Sequence, residues 1–269
     1  MPNASLYKQK ACRHGMMLYN PRDTYVGRSL DLYGEFSEGE AEFFSAVLRP
    51  GDIALDVGAN IGCHTVVMAK RVGDAGVVVA IEPQRLLCQL LSANIALNGL
   101  TRVWCMQTAV TRDRREIVVP EIDPKRQGNF GGIDLRQSSD GEICRTIRID
   151  DLQLERCRLI KLDVEGMELE ALLGASDTIR RLQPILYLEN DRKENADELE
   201  SLVNSYGYDW TWHTPPLFNP DNFSGNKEDV FENVASLNMV CIPKTADFDF
   251  KDFMTGSPIN RLSWRPPKL

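Results

Sequence analysis

Gly51-Asp-Ile-Ala-Leu-Asp56-Val-Gly58-Ala-Asn60-Ile-Gly62-Cys63-His64 is the stretch on which the reading of the fold turns. Ile53, Ala54, Leu55 and Val57 form an apolar run that is too short for a helix and right for a buried parallel strand. The run ends in Asp56-Val-Gly58-Ala-Asn60-Ile-Gly62, and a helical pattern follows over 63–72. A strand, a glycine turn and a helix together place backbone N–H groups and a positive helix end beside a ligand. The glycines let that ligand reach the main chain, or simply permit a tight turn.

Downstream, strand and helix patterns alternate. Residues 77–82 read as a second buried strand closed by Pro83. Residues 85–98 read as a helix with Leu87, Leu90, Leu91 and Asn94 on one face and Gly99 as its C-cap. Further strands are expected over 103–107, 159–164, 185–189, 208–213 and 237–242, and helices over 165–173 and 194–206. Repeated βα units of this length imply an α/β fold. The expected form is a seven-stranded, mostly parallel, Rossmann-like sheet with helices on both faces and a final antiparallel strand. Upstream, residues 1–50 form an N-terminal arm and first helix. Met16-Met-Leu-Tyr19 is a strand candidate, Asn20-Pro21-Arg22-Asp23 a turn, and 38–48 a helix built on Phe43, Phe44, Val47 and Leu48. The core runs over 51–245 and a C-terminal tail over 246–269. A β-rich insertion at 111–150 carries Gln127-Gly-Asn129-Phe130-Gly131-Gly132. A long loop at 214–234 carries Pro215, Pro216, Pro220 and Gly225. Loops this long in a compact domain are usually functional, which makes both of them acceptor-facing candidates.

The formal net charge of −8 argues against nucleic acid as a general partner. The basic clusters Arg112/Arg114/Arg115 and Lys125/Arg126 read as solvated surface or as a place to meet an anionic substrate. No apolar run reaches membrane-span length, and Met-Pro-Asn-Ala-Ser-Leu-Tyr-Lys lacks the apolar centre of a signal peptide. The seven cysteines form no CxxC unit and are odd in number. A cytoplasmic protein with neither disulfide framework nor zinc site is expected.

In open α/β sheets, ligands gather at the carboxyl ends of the strands. Those ends carry Asp56/Gly58, Glu82, Gln107/Thr108, Asp163/Glu165 and Glu189/Asn190/Asp191. Glu82 is placed to accept two hydrogen bonds from ribose hydroxyls. The glycine turn departs from the dinucleotide pattern G-x-G-x-x-G, and the acid two residues before Gly58 suits an amino group better than a pyrophosphate.

Asp56-Val-Gly-Ala-Asn-Ile-Gly62 resembles motif I of class I S-adenosylmethionine-dependent methyltransferases. Further motifs are Ala80-Ile-Glu82-Pro83, Leu97-Asn98, Leu159-Ile-Lys-Leu-Asp163-Val-Glu165-Gly166-Met-Glu168, Leu173-Gly174-Ala175 and Pro184-Ile-Leu-Tyr-Leu-Glu189. Taken in this order over residues 50–190, they resemble the FkbM family more narrowly. The resemblance implies S-adenosylmethionine as cofactor. Gly58, Ala59, Asn60 and Gly62 would line its methionine side, with Asp56 near the amino group and His64 beside it. Glu82 and Pro83 would meet the ribose, and Gln107 to Ala109 the adenine, where this chain lacks the acid that many class I enzymes carry.

Asp163 and Glu165 end the fourth strand, the usual station for substrate-facing groups in such enzymes. Methylating a hydroxyl needs a proton acceptor, for which Asp163 is the first candidate, Glu165 the second and His213 the third. Asp163 also belongs to the cofactor wall. Asp163, Glu189 and Asn190 resemble the metal site of catechol-type O-methyltransferases, which would add Mg²⁺, Mn²⁺ or Ca²⁺. Asn129, Phe130 and Asn222 are the acceptor-reading candidates, and Tyr33, Glu35 and Glu38 could cap the methionine end. The expected reaction is O-methylation of a small molecule, sugar or modified peptide, with N-methylation of an amide as a variant. A nicotinamide-dependent oxidoreductase competes on the strand–glycine–helix unit and Glu82, but has against it the glycine spacing, Asp56 and the lack of a Tyr-x-x-x-Lys pair. A binding module that has lost catalysis is the non-enzymatic rival.

Overall fold

A computed structural model describes residues 6–135 and 140–246. Except for Ala246, the expected C-terminal tail lies outside the described residues.

The chain starts with an antiparallel hairpin, β1 (Lys8–Cys12) and β2 (Gly15–Tyr19), followed by helices α1 (Val26–Tyr33) and α2 (Glu38–Val47). Next come β3 (Ile53–Val57), α3 (Cys63–Val72), β4 (Val77–Ile81), α4 (Arg85–Leu97) and β5 (Val103–Met106). The insertion forms its own three-stranded sheet from β6 (Ala109–Val110), β7 (Glu116–Val119) and β8 (Glu142–Ile147). The remainder is β9 (Leu159–Leu162), α5 (Glu168–Leu173), α6 (Ser176–Leu182), β10 (Ile185–Glu189), α7 (Lys193–Ser205), β11 (Tyr208–His213) and β12 (Asn238–Pro243).

The main sheet has seven strands in the order β11-β12-β10-β9-β3-β4-β5. β10, β9, β3, β4 and β5 run parallel, and β12 is antiparallel to both its neighbours, as expected from the sequence. The chain leaves β3 towards β4 and β5, then returns to lay β9 on the other side of β3. That reversal opens a crevice at the carboxyl ends of β3 and β9. Both faces of the central strands are covered, so β3, β4, β9 and β10 are buried and mostly apolar. Leu55, Ile160, Leu162, Leu186 and Leu188 pack against Ala171, Leu172, Ile179 and Val203 on one face. Ala54, Val78, Leu159 and Tyr187 pack against Phe43, Phe44 and Met68 on the other.

The helix expected over 165–173 starts only at Glu168. Glu165 and Gly166 have φ of 54° and 94°, a left-handed turn that no helix can include. The Glu168 carboxylate holds this turn by accepting from the N–H groups of Val164 and Gly166, both at 3.1 Å. Helices α1 and α6 were not legible in advance. α6 follows α5 almost directly, with Asp150 accepting from the N–H of Thr178 at its first turn, 2.8 Å. The arm belongs to the core. Asn94 accepts from Leu18 N at 2.6 Å and donates to Ile61 O at 2.8 Å, which stitches β2 to α4 and the glycine turn. Among the described residues no helix is long and apolar enough to cross a membrane.

Candidate active site

A cavity of about 400 Å³ lies at the carboxyl ends of β3, β4, β9 and β10. Gly58, Ala59 and Asn60 form part of its wall beside Glu82, Pro83, His64 and Asp163. Three segments outside the sheet close over it: Phe36 and Glu40 from the arm side, Asn129 and Gly131 to Ile133 from the insertion, and Leu217 with Val234 to Ser236 from the long loop.

These covers are tied to one another. Thr24 N donates to Gly128 O at 2.9 Å, and Asn20 Nδ2 to Pro124 O at 2.8 Å, which joins the arm to the insertion. Buried Glu35 accepts from Arg13 Nε at 2.6 Å, Asn219 Nδ2 at 2.8 Å and Phe223 N at 2.7 Å. Tyr33 Oη donates to Glu228 O at 2.8 Å. Tyr33 and Glu35 therefore hold the long loop, and Glu38 pairs with His14 at 2.8 Å. None of the three lines the cavity. The arm-side acid that does is Glu40, which accepts from Ser37 Oγ at 2.8 Å.

Two rows of side chains cross the sheet beneath the cavity. In the lower row, Asp56, Lys161 and Tyr187 stand opposite one another in register. The Lys161 ammonium lies 3.5 Å from Asp56 Oδ1 and 3.0 Å from Asp163 Oδ2. Burial alone would lower its pKa. The carboxylates of Asp163, Asp56 and Glu40 outweigh burial and raise it, so Lys161 is a permanent buried cation. Asp56 is wholly buried and accepts from Thr65 Oγ1 at 2.6 Å. It does not line the cavity. Its carboxylate is held by the β9 lysine and α3, a correction to the expectation that it meets the ligand's amino group.

The upper row is Glu189, Asn238 and His213, directly opposite one another on β10, β12 and β11. Glu189 and Asn238 line the cavity. His213 does not. It bonds Tyr187 Oη at 2.9 Å and borders a separate cavity of about 270 Å³ with Arg13 and Glu38. Burial pushes its imidazole down to about 4. The expectation that His213 takes the acceptor proton is corrected on that placement.

Asp163, Glu165 and Glu189 bring carboxylate oxygens within 4.8 Å of one another. Asn190, expected in a metal set with Asp163 and Glu189, does not line the cavity. Consecutive strand residues point to opposite faces, and Asn190 Nδ2 donates instead to Met239 Sδ at 2.9 Å in the core. The protein supplies its own cations to the cluster, Lys161 at Asp163 and Arg192 at Glu165, the latter pair at 2.6 Å. Burial and then the Asp163 charge push the Glu165 carboxyl up to about 8, against the pull of Arg192.

Glu82 is buried at the end of β4. Its Oε2 accepts from Asn60 N at 2.8 Å and its Oε1 from Gln84 N at 2.9 Å. Each oxygen keeps a free lone pair. Burial pushes this carboxyl up to about 7, opposed by those two N–H groups and by Lys161 and reinforced by Asp163. His64 is buried, with burial lowering its pKa, and its Nε2 has no hydrogen-bond partner among the described residues. Past the end of β5 the wall is formed by Thr108 and by Ala109 and Val110 of β6, while Gln107 is exposed and does not line it. Gly62 sits behind the wall against Leu91.

Of the acceptor-reading candidates, Asn129 is on the cavity wall. Phe130 is not; it is buried in the core shared by the arm, α4 and the glycine turn, which pins the insertion down. Asn222 is also buried, donating to Asn219 O at 2.9 Å and Asn226 O at 2.6 Å, so it staples its own loop. Lys161, Glu40, Arg192 and Asn238 were missed. Lys161 had a signal, a charge inside Leu-Ile-Lys-Leu. Asn238 had none, because only the register of β10 with β12 places it.

Residues 56–210 match the Methyltransferase FkbM domain. The chain is 29% identical over 215 residues to methyltransferase sdnD of Sordaria araneosa, covering 66% of this chain and 82% of that protein. It is 28% identical over 209 residues to the AMB antimetabolite synthetase AmbE of Pseudomonas aeruginosa, 61% of this chain and 10% of AmbE. The chain thus spans only about a tenth of AmbE's length. The solved methyltransferase FkbM from Methylobacillus flagellatus KT aligns at 19% identity and a TM-score of 0.48, over 75% of this chain and 50% of that one. The domain match begins at the buried aspartate of the glycine turn and continues through the carboxylate-bearing strand ends into β11, and on it the chain belongs to the FkbM family of methyltransferases.

Proposed function

We propose that this chain uses S-adenosylmethionine to methylate an oxygen of a small molecule, sugar or modified peptide. The observation that carries the reading is Glu82, whose two oxygens, each with one backbone N–H already bound, are left facing the cavity where a ribose diol would sit. A cavity of about 400 Å³ beside the glycine turn is of a size to take such a ligand. When bound, the cofactor supplies an electrophilic methyl group on a sulfonium. Ala59, Asn60 and His64 line the end nearest the helix, with the His64 Nε2 and buried Glu40 available to a zwitterion. Thr108 and Ala109 line the far end. The insertion and the long loop exclude water. The acceptor approaches from the side of β9 and β10, and its proton passes to the carboxylate cluster there, where burial raises both Glu165 and Glu189. The antimetabolite named for AmbE is in keeping with a small-molecule acceptor.

Calorimetric titration tests the reading. S-adenosylmethionine should bind and NAD should not. Because free Glu82 titrates near 7 and the ribose needs its carboxylate, the dissociation constant should be flat above that pH and weaken about tenfold per unit below it. Glu82→Gln should bind more weakly and lose this pH dependence. NAD binding without S-adenosylmethionine binding would defeat the proposal.

A divalent metal is the second form of the reading, favoured by the grouping of three carboxylates. Lys161 and Arg192 already supply the positive charge that such an ion would bring. Methyl transfer is therefore expected to continue unchanged in excess EDTA. Loss of turnover, restored by Mg²⁺, would reassign the cluster.

A further inference from the structure

Four side-chain atoms on the cavity wall are shut off from solvent yet have no hydrogen-bond partner among the described residues, His64 Nε2, Arg192 Nε, Glu189 Oε2 and Asn238 Nδ2, and the last two stand together. Glu189 ends β10, Asn238 starts β12, and the two are direct partners in the antiparallel register. Side chains at such a pair leave the sheet on the same face as neighbours. Asn238 is only 4% exposed. Leaving one buried acceptor and one buried donor unsatisfied, side by side, is unfavourable. The pair is complementary to a ligand group that donates one hydrogen bond and accepts another.

Methyl acceptors differ in this respect. A hydroxyl both donates and accepts. A carboxylate only accepts, and it would face the carboxylates of Glu189, Asp163 and Glu165. An amine at neutral pH is an ammonium, which only donates, cannot receive the Asn238 N–H and must lose a proton before it can react. We propose that Glu189 and Asn238 bind the acceptor's reacting hydroxyl, with Glu189 Oε2 accepting its O–H and Asn238 Nδ2 donating to its oxygen. The inference rests on the methyl-transfer reading and narrows its acceptor to alcohols. In the reaction a carbon–oxygen bond forms to the methyl group and the methyl–sulfur bond breaks, its electron pair staying on sulfur. The hydroxyl proton goes to Glu189. Burial, reinforced by Asp163, Asp191, Glu165 and Glu168, pushes that carboxyl well above its ordinary range, so its ionised form is a stronger base than an ordinary carboxylate. Asn238 fixes the direction of the oxygen lone pair, and directional positioning of this kind is a large part of what such a site contributes.

The test uses the full chain, methyl-tritiated S-adenosylmethionine and three probe series on matched skeletons: alcohols (methyl glycosides, a hydroxylated macrolactone, a serine peptide), the corresponding carboxylic acids, and the corresponding primary amines. Cofactor affinity is followed by calorimetry in every variant. Label is expected in the alcohols alone. Asn238→Asp keeps the side-chain shape and removes the donor, and should raise KM for the best alcohol about tenfold with the cofactor Kd unchanged. Asn238→Ser, which still donates, should recover part of that loss. Glu189→Gln should lower kcat about 100-fold, again without moving the cofactor Kd. Alcohol affinity for the S-adenosylhomocysteine complex, read by calorimetry, should fall in Asn238→Asp as KM rises. Label in the acids or amines with the alcohols inert, or an unchanged KM in Asn238→Asp, would overturn the inference. So would cofactor binding with no transfer to any series, which leaves the cofactor site standing. Absence of cofactor binding would instead overturn the methyl-transfer reading beneath it.

Discussion

Replacing Lys161 with methionine is expected to lower the unfolding free energy by about 3–5 kcal/mol, the usual cost of removing one partner from a buried ion pair. Lys161 is 2% exposed and is placed between Asp56, which is wholly buried, and Asp163, with Glu40 adding to the field. Methionine matches the length of the stem, so packing is largely kept and the loss isolates the charge. It would strand the Asp56 carboxylate, whose other partner is the Thr65 hydroxyl. Urea unfolding at neutral pH measures the effect. Adding Asp56→Asn to Lys161→Met should return part of the lost stability, because it removes the uncompensated charge. A Lys161→Met protein as stable as the parent would show that the ion pair contributes nothing net.

Gly58→Ala is expected to cost about 2–6 kcal/mol, the sum of a left-handed backbone on a residue with a side chain and an overpacked contact. Gly58 has φ of 81°, and a Cβ there would lie 1.6 Å from the carbonyl oxygen of Asp163. No side-chain rotation relieves a clash with backbone. Either β9 moves away from β3, which spreads the crevice, or the glycine turn rebuilds, so cofactor binding should fall below detection along with stability. Gly99→Ala is the matched control. Gly99 also has a positive φ, 64°, but open space where its Cβ would be, so it should lose only about 1 kcal/mol and leave binding intact. Thermal unfolding and calorimetric titration read both variants. Equal losses in the two would refute the close approach of Gly58 to Asp163.

The contrast clarifies the glycine turn. In sequence, Gly58 reads as room for a ligand. In the fold its missing side chain is room for the end of β9, and the ligand wall is formed beside it by Ala59, Asn60 and Asp163.

Other residues were misread for related reasons. Phe130, Asn222 and His213 are polar or aromatic groups in or beside long loops, a pattern that looks the same whether the side chain faces a ligand or its own backbone. Phe130 enters the core, Asn222 closes a turn and His213 bonds Tyr187. The helix starts at Glu168 and not at 165 because Glu165 is left-handed, of which hydrophobic spacing carries no sign. Asn190 and Glu189 are adjacent in the chain, and adjacency at a strand end puts the two side chains on opposite faces.

What the sequence determined by itself is the order of elements and the list of polar groups at strand ends. Apolar runs of strand length alternating with amphipathic helices admit few arrangements other than a covered, mostly parallel sheet, and such a sheet gathers its strand ends at one edge. Asp56 to Gly62, Glu82, Asp163 and Glu189 could all be named there in advance. The tertiary structure alone decided which of those groups face the cavity and which face each other. Strand register puts Asp56 under Lys161 and Asn238 beside Glu189, and register follows from packing between segments more than a hundred residues apart in some cases, about which local periodicity is silent. The cover over the site was decided in the same way. The arm, the insertion and the long loop meet through hydrogen bonds to backbone groups, which leave no periodic trace in the sequence.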